Sequence, residues 1–163
     1  MKVKCSYDKM VKVESLKVHP RNPNTHSPKQ INLLAKIIDH HGFRNSIIVS
    51  NRSGFIVSGH GRLEASKMLG LKEVPVDFQD FDNVKDELAY LVADNRIAEL
   101  AEIDKSELAD IIGDIDSGDY DLELTGFELE TVEELMTACP PPELDDETES
   151  KTKHCPNCGE VIN

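Results

Sequence analysis

Residues 56–66 read Ile56-Val57-Ser58-Gly59-His60-Gly61-Arg62-Leu63-Glu64-Ala65-Ser66. With Phe55, the apolar, β-favouring residues Ile56 and Val57 predict the end of a buried strand. Gly59 and Gly61 open backbone angles closed to other residues and permit close approach of a ligand. Arg62 to Leu69 predicts a helix, with Gly70 as its stop. Strand, glycine turn and helix N-terminus thus follow within about ten residues. A helix N-terminus offers N–H groups and partial positive charge, a ready place for phosphate. Arg62 adds a planar fork of donors, and His60 a ring that ordinarily titrates near neutrality. Two glycines alone would make only a tight turn. The His and Arg within it point to a phosphate or acid/base site.

The flanks alternate strands and helices. Residues 11–18 predict one strand, with Val11, Val13, Leu16 and Val18 as its apolar positions. The loop HPRNPNTHS follows, rich in proline and asparagine. Ser27 and Pro28 are a cap and first helical residue. Ile31, Leu34, Ile37 and Ile38 then recur at helical spacing as far as Gly42. Ser46 to Ser50 predicts a second strand, 51–54 a hairpin turn, and Val74 to Phe78 a fourth strand. Asp82 or Asn83 can cap a helix running to about Ala101. On it Asn95 shares the face of Leu88, Leu91 and Val92, and must find a partner within the protein or on a ligand. Ile103 to Ile115 predicts a helix with Asp104 as cap and Glu107 completing a capping box. A last short helix is expected from Thr125 or Glu128 to about Met136.

Charge divides the chain. The net charge is −13, yet residues 1–62 hold eleven Lys/Arg against three acids, and five of the six His. From Asp104 to Glu149 there are seventeen acids and one base, Lys105. The basic half suits an anion; the acidic half would repel a DNA backbone or simply confer solubility. No run approaches the roughly 20 apolar residues of a membrane span, and no N-terminal signal is visible. Four cysteines with one close pair do not make a disulfide framework. A cytoplasmic, reducing setting is expected.

The runs HPRNPNTHS, IIVSNRSGFIVSGHGRLEASKMLGLKEVPV and VADNRIAELAE resemble the ParB/sulfiredoxin superfamily. They look most like the ParB-like N-terminal (ParB-like nuclease) domains of phage and plasmid proteins, some of which adjoin DNA methyltransferases. The resemblance covers roughly residues 11–130. It implies an α/β (α+β) fold: a small mixed sheet with helices around a nucleotide pocket. Residues 11–101 would form that domain, 102–137 an acidic helical extension, 138–153 a disordered linker and 154–163 a short cysteine tail.

The resemblance also implies residue roles. Pro20-Arg21-Asn22-Pro23 is similar to the first nucleotide box. Gly59-His60-Gly61-Arg62 looks like the Gly-Glu-Arg-Arg box that grips triphosphate. Asp94-Asn95 looks like the Glu-Asn pair that assists metal or phosphate. Three places depart from the pattern. Asn24 stands where the first box closes with Arg, Gly61 replaces the first of two adjacent arginines, and Ala98 replaces an Arg toward which Arg96 is displaced. Sulfiredoxin chemistry is not expected, because His60 stands at the place of the catalytic Cys. The helix-turn-helix of segregation proteins is not visible.

Three functions are compatible with these residues. In a nucleotide-binding enzyme or switch, Pro20, Asn22, Gly59, Gly61, Arg62, Asn95 and Arg96 hold a nucleoside triphosphate, CTP or ATP. Asp94 or Glu64 then helps place Mg²⁺, and His60 and Asp94 are the catalytic candidates. A DNA nuclease of the ParB-like type is the second. The third is a non-catalytic adaptor that recruits a DNA-modifying protein partner through the acidic half. Fold alone does not choose among them. DNA contact is expected to be weak and salt-sensitive.

In the tail, Cys155 and Cys158 have the C-x₂-C spacing of a zinc knuckle. Structural zinc normally takes four ligands. Two tails from two chains would supply four thiolates, which makes a zinc-clasped homodimer one possibility. Cys139 or His154 completing the site, or an inert or redox-active tail, are the others.

Overall fold

In the computed structural model, residues 11–18 are not one strand. They split into β1 (Lys9–Lys12), a 3₁₀ turn (Val13–Ser15) and β2 (Lys17–Val18). The structure describes residues 2–116, 120–127, 129–138, 153–154 and 161–162. The split has a cause visible in the sequence. Val11 and Val13 have odd positions, Leu16 and Val18 even ones, so the apolar alternation slips by one. A continuous strand would turn half of these residues to the wrong face. The turn absorbs the slip: Val13 N–H donates to Lys72 O at 3.0 Å, and Leu16 N–H to Val13 O at 3.3 Å.

The sheet continues with β3 (Ile47–Ser50), β4 (Phe55–Ser58) and β5 (Glu73–Gln79), in the order β1-β5-β3-β4-β2. β1 pairs antiparallel with β5, β3 antiparallel with β4, β3 parallel with β5, and β2 parallel with β4. The two edges are therefore β1 and β2, joined by a single short turn, and the sheet curls. Ile47, Val49, Ile56, Val74 and Val76 fill its interior with Val13 and Phe43. The fold is α/β with a mixed sheet, as the sequence predicts.

Helix α1 (Pro28–His41) begins at Ser27, whose Oγ accepts from Gln30 N–H at 3.1 Å, and buries Ile31, Ala35 and Ile38. Helix α2 (His60–Met68) packs beside it and buries Leu63 and Ala65. Helix α3 (Val84–Glu99) starts at Asn83, whose side chain accepts from Lys85 and Asp86 N–H. Only its first half is anchored, by Glu87 and Leu91; Val92, Ile97 and Leu100 are exposed.

Helices α4 (Lys105–Ile115) and α5 (Leu129–Ala138) share a small apolar cluster of Ile112, Leu122 and Val132. Asp104 caps α4 through Ser106 and Glu107 N–H. The last helix begins at Leu129 rather than at Thr125, because residues 122–125 form a separate 3₁₀ turn. Thr125 Oγ1 donates to Leu122 O at 2.6 Å within it. This acidic stretch docks on α1: Lys36 Nζ lies 2.8 Å from Asp121 Oδ2 and also pairs with Glu123. Tyr120 Oη and His41 Nε2 are 3.3 Å apart. Short strands β6 (Lys153–His154) and β7 (Val161–Ile162) pair antiparallel. The stretch expected to be a linker falls largely outside the described residues. No helix among the described residues is long and apolar enough to cross a membrane.

Val13 plugs the curled sheet at 6% exposure, whereas Val18 is 50% exposed. Val13→Ala should cost about 2 kcal/mol in urea denaturation, and Val18→Ala within about 0.5 kcal/mol of nothing. Equal effects would mean that the turn does not close the core.

Candidate functional site

Strand β4 ends at Ser58 and α2 begins at His60, so the direction change falls on Gly59. Gly59 has φ 93° and ψ 26°, the left-handed region that side chains disfavour. A Cβ there would also stand 3.0 Å from Arg62 Nε and Nη2. The guanidinium thus folds back over the glycine. Nη2 reaches Ser58 Oγ at 3.4 Å, but Nε is buried with no partner among the described residues. Burial pushes the Arg62 pKa down; Asp94, then Cys5 and Tyr90, partly offset this. Gly59 supplies no side-chain acceptor to cap α2. The first turn of the helix and an unsatisfied cation therefore converge on one spot, which is the composition of an anion site.

A cleft of about 150 Å³ opens there. It is smaller than the roughly 300 Å³ at which sites for whole small molecules begin, and is of a size for phosphate groups. Asn22, Asn24 and His26 form one wall, from the loop after β2, and Asp94 and Asn95 of α3 another. The loop is braced internally: Asn22 Nδ2 donates to Asn24 O at 3.2 Å, and Asn24 N–H to Asn22 Oδ1 at 3.3 Å. Gly61 lets α2 abut α1, since a Cβ there would press on Leu34 Cδ2 at 3.3 Å and His26 Cε1 at 3.4 Å. Asn95 Nδ2 donates to Leu91 O at 2.9 Å, which leaves its carbonyl oxygen for a ligand.

His60 lies in the floor at 8% exposure. Its Nε2 accepts the His19 backbone N–H at 3.4 Å. Burial, and then His26 and His19, lower its pKa to about 4 against a small opposing effect of Asp94. At neutral pH the ring is uncharged, so titration near neutrality is not what this environment supports. Behind it, Glu87 and Ser50 are buried and hydrogen-bonded to each other at 2.8 Å.

Seven of the residues singled out from sequence meet in this cleft: Asn22, Gly59, His60, Gly61, Arg62, Asp94 and Asn95. Pro20 does not; it lines a neighbouring hollow with His19, Phe55 and Glu87. Arg96 is turned away, exposed and paired with Glu99 at 2.8 Å. Glu64 is held by Lys67 at 2.7 Å, also away from the cleft. Cys155 and Cys158 lie outside the described residues. His26, Leu34 and Ser58 line the cleft without having been singled out as site residues, and Asn24, noted only as a departure from the first box, lines it too. Glu87 had a readable signal, an acid four residues before buried Leu91 and so on the same helix face. Asp94 is the one carboxylate of the cleft, and no three His, Cys, Asp or Glu cluster around a metal position among the described residues.

Curled mixed sheet, glycine turn and the cleft beside it together define a fold of the ParB N-terminal type. Residues 3–96 match the ParB N-terminal domain family, and the chain belongs to it. It is similar to the ParB-like nuclease domain-containing protein YnaK of Escherichia coli K12. The two are 34% identical over 64 residues, covering 39% of this chain and 72% of YnaK. Among solved structures, the C-terminally truncated ParB of Caulobacter crescentus, complexed with CTP-γ-S, has the same fold. That match has a TM-score of 0.63 and 21% identity, and covers 78% of this chain and 76% of that one. Sulfiredoxin of Arabidopsis thaliana matches with a TM-score of 0.41 and 20% identity, over 52% of this chain and 94% of its own.

The depressed His60 pKa has a stability consequence. The unfolded chain takes up a proton near the ordinary value of 6.5, and the folded one only near 4. Stability is therefore full above pH 6.5 and falls as pH drops through the window toward 4, by at most about 3 kcal/mol and less where water still screens the ring. Urea midpoints of the wild type should fall between pH 7 and 5, where His60→Asn should stay flatter. Parallel profiles would show that His60 titrates normally.

Proposed function

We propose that this chain binds a nucleoside triphosphate with Mg²⁺ and serves as a nucleotide-binding module in the DNA transactions of a mobile element. One observation carries the proposal: the buried, unpartnered Nε of Arg62 above a left-handed glycine at a helix N-terminus. An unpaired buried donor on a cation costs roughly 1–3 kcal/mol, and a phosphate oxygen is the natural acceptor to relieve it. The CTP-γ-S complex of Caulobacter ParB, on the same fold, supports a nucleotide and makes CTP the first candidate, ahead of ATP.

Asp94, with the Asn95 carbonyl oxygen, would hold Mg²⁺, which ordinarily takes only one or two carboxylates beside phosphate oxygens. The ion would supply charge neutralisation at the phosphates. The chain's own residues supply the rest: Arg62 binds, the Gly59 turn admits the phosphates, and the Asn22–Asn24 loop walls them in. The nuclease alternative has the name of YnaK behind it, but no donor cluster among the described residues favours it.

Calorimetric titration with CTP, ATP, GTP and ADP, each with and without Mg²⁺, tests the proposal. At least one triphosphate should bind, and Mg²⁺ should strengthen binding. Arg62→Ala should weaken it by about tenfold or more, the worth of a charge-assisted bond. The same variant should be no less stable thermally, because it removes an unsatisfied buried group. Absence of binding by every nucleotide at millimolar concentration, or undiminished binding by folded Arg62→Ala, would overturn the assignment. DNA binding should be weak and fall steeply between about 50 and 200 mM salt; tight binding that survives salt would point to a reading element elsewhere in the chain.

A further inference from the structure

A buried line of polar groups runs behind the cleft from the sheet to His60. Ser50, fully buried at the end of β3, donates from Oγ to Glu87 Oε2 at 2.8 Å. Glu87 is 3% exposed, and its Oε1 lies 3.5 Å from His19 Nε2. His19 Nδ1 accepts the Arg21 backbone N–H at 3.1 Å, so the ring presents an N–H from Nε2 toward the carboxylate. The backbone N–H of His19 in turn donates to His60 Nε2 at 3.4 Å.

A backbone amide can only donate. Nε2 of His60 is therefore the nitrogen with the lone pair, and the proton of the neutral ring sits on Nδ1. That nitrogen has no partner among the described residues, yet is not among the sealed unsatisfied atoms, and His60 lines the cleft. The free edge of the ring thus meets the cleft as a donor.

We propose that Ser50, Glu87 and His19 act as positioning residues that lock His60 in its Nδ1–H form, an uncharged donor to a phosphate oxygen in the cleft. This rests on the assignment of the cleft to phosphate. The arrangement gives His60 no lone pair toward the ligand, so it serves neither as base nor as nucleophile there. It also accounts for a buried carboxylate whose ion-pair partner among the described residues is a histidine rather than a Lys or Arg. The loop after β2 carries two prolines and no regular structure, and the His19 ring is its deep anchor. Glu87 holds the inner edge of the His19 ring, beside the T-shaped contact of that ring with Phe55, and so helps set the height of the His19 amide against His60.

Imidazole ¹⁵N NMR on the full, ligand-free chain decides the relay, with His60 assigned by its loss in His60→Gln. The expected result is a single Nδ1–H form between about pH 5.5 and 8. His19→Ala keeps the backbone amide and removes the anchor, and should give mixed tautomers; Ser50→Ala, the milder change, should shift the ratio in the same direction. Inorganic tripolyphosphate should move the Nδ1 proton of the wild type, and bind His19→Ala about three- to tenfold more weakly, the loss of one neutral hydrogen bond. An Nε2–H form in the wild type overturns the proposal, whether or not either variant folds. A tautomer unchanged in both folded variants also overturns it. An Nδ1 proton indifferent to tripolyphosphate, while CTP binds through Arg62, overturns the donor role and leaves the nucleotide assignment standing; if CTP also fails to bind, both fall.

Discussion

The sheet must close on itself because one short segment serves both of its edges. β1 lies at one edge and β2 at the other, with only Val13 to Leu16 between them. Flat, a five-stranded sheet would separate its edge strands by about 19 Å, four spacings of roughly 4.8 Å. The connecting residues, three of them in a 3₁₀ turn rising about 2 Å each, reach only about 13 Å. The sheet therefore curls until its edges approach, with Val13 pointing into the closed side. A second consequence is the site itself. β2 runs parallel to β4, its neighbour at the edge, so both strands leave the sheet at the same end. The loop carrying His19 to His26 and the Gly59 turn must then lie side by side. The third wall comes from α3, whose residues 84–94 run about 15 Å at 1.5 Å per residue and bring Asp94 and Asn95 alongside.

Within that frame the cleft trades stability for readiness. Arg62 is held over Gly59 with a donor unmet, and its burial disfavours its own charge. Neutral His60 adds a dipole without a second positive charge. Helix α2 faces the same point with an uncapped N-terminus, whereas α1, α3 and α4 are each capped by a side chain. The contrast shows that the sequence uses Ser, Asn or Asp caps freely elsewhere. At the cleft it places glycine instead, and the helix dipole remains available to a ligand.

Local chemistry was legible in the sequence; tertiary placement was not. Ser27, Asn83 and Asp104 announce their helices because a cap is a contact two or three residues away. The glycine turn was legible for the same reason. The break between Val13 and Leu16 was written in the parity of the apolar residues, but only pairing with two different strands reveals why it exists. Glu87 shows the limit. An acid on an apolar helix face asks for a partner, yet Ser50 and His19 are 37 and 68 residues away in the chain. Arg96 shows the converse. It follows Asn95 directly, but one helical step of about 100° carries it out of the cleft and onto Glu99.

The opposed charges of the cleft bear on how the proposed ligand would enter. Asp94 acts on Arg62 across the cleft and raises its pKa against the effect of burial. A bare triphosphate entering there gains Arg62 but meets the Asp94 carboxylate, a like charge on the cleft wall. A divalent cation between phosphate and Asp94 reverses the sign of that second contact and leaves the first untouched. Asp94 stands on the half of α3 that has little packed against it; beyond Leu91 only Asn95 is not exposed. Its position is set by the helix itself, and it attracts Arg62 electrostatically without a direct hydrogen bond or ion pair between the two. Bringing an anion to Arg62 without a cation would weaken that attraction as well as add repulsion. The metal dependence proposed here is therefore a property of the whole cleft, and it follows from placing a carboxylate opposite a buried arginine.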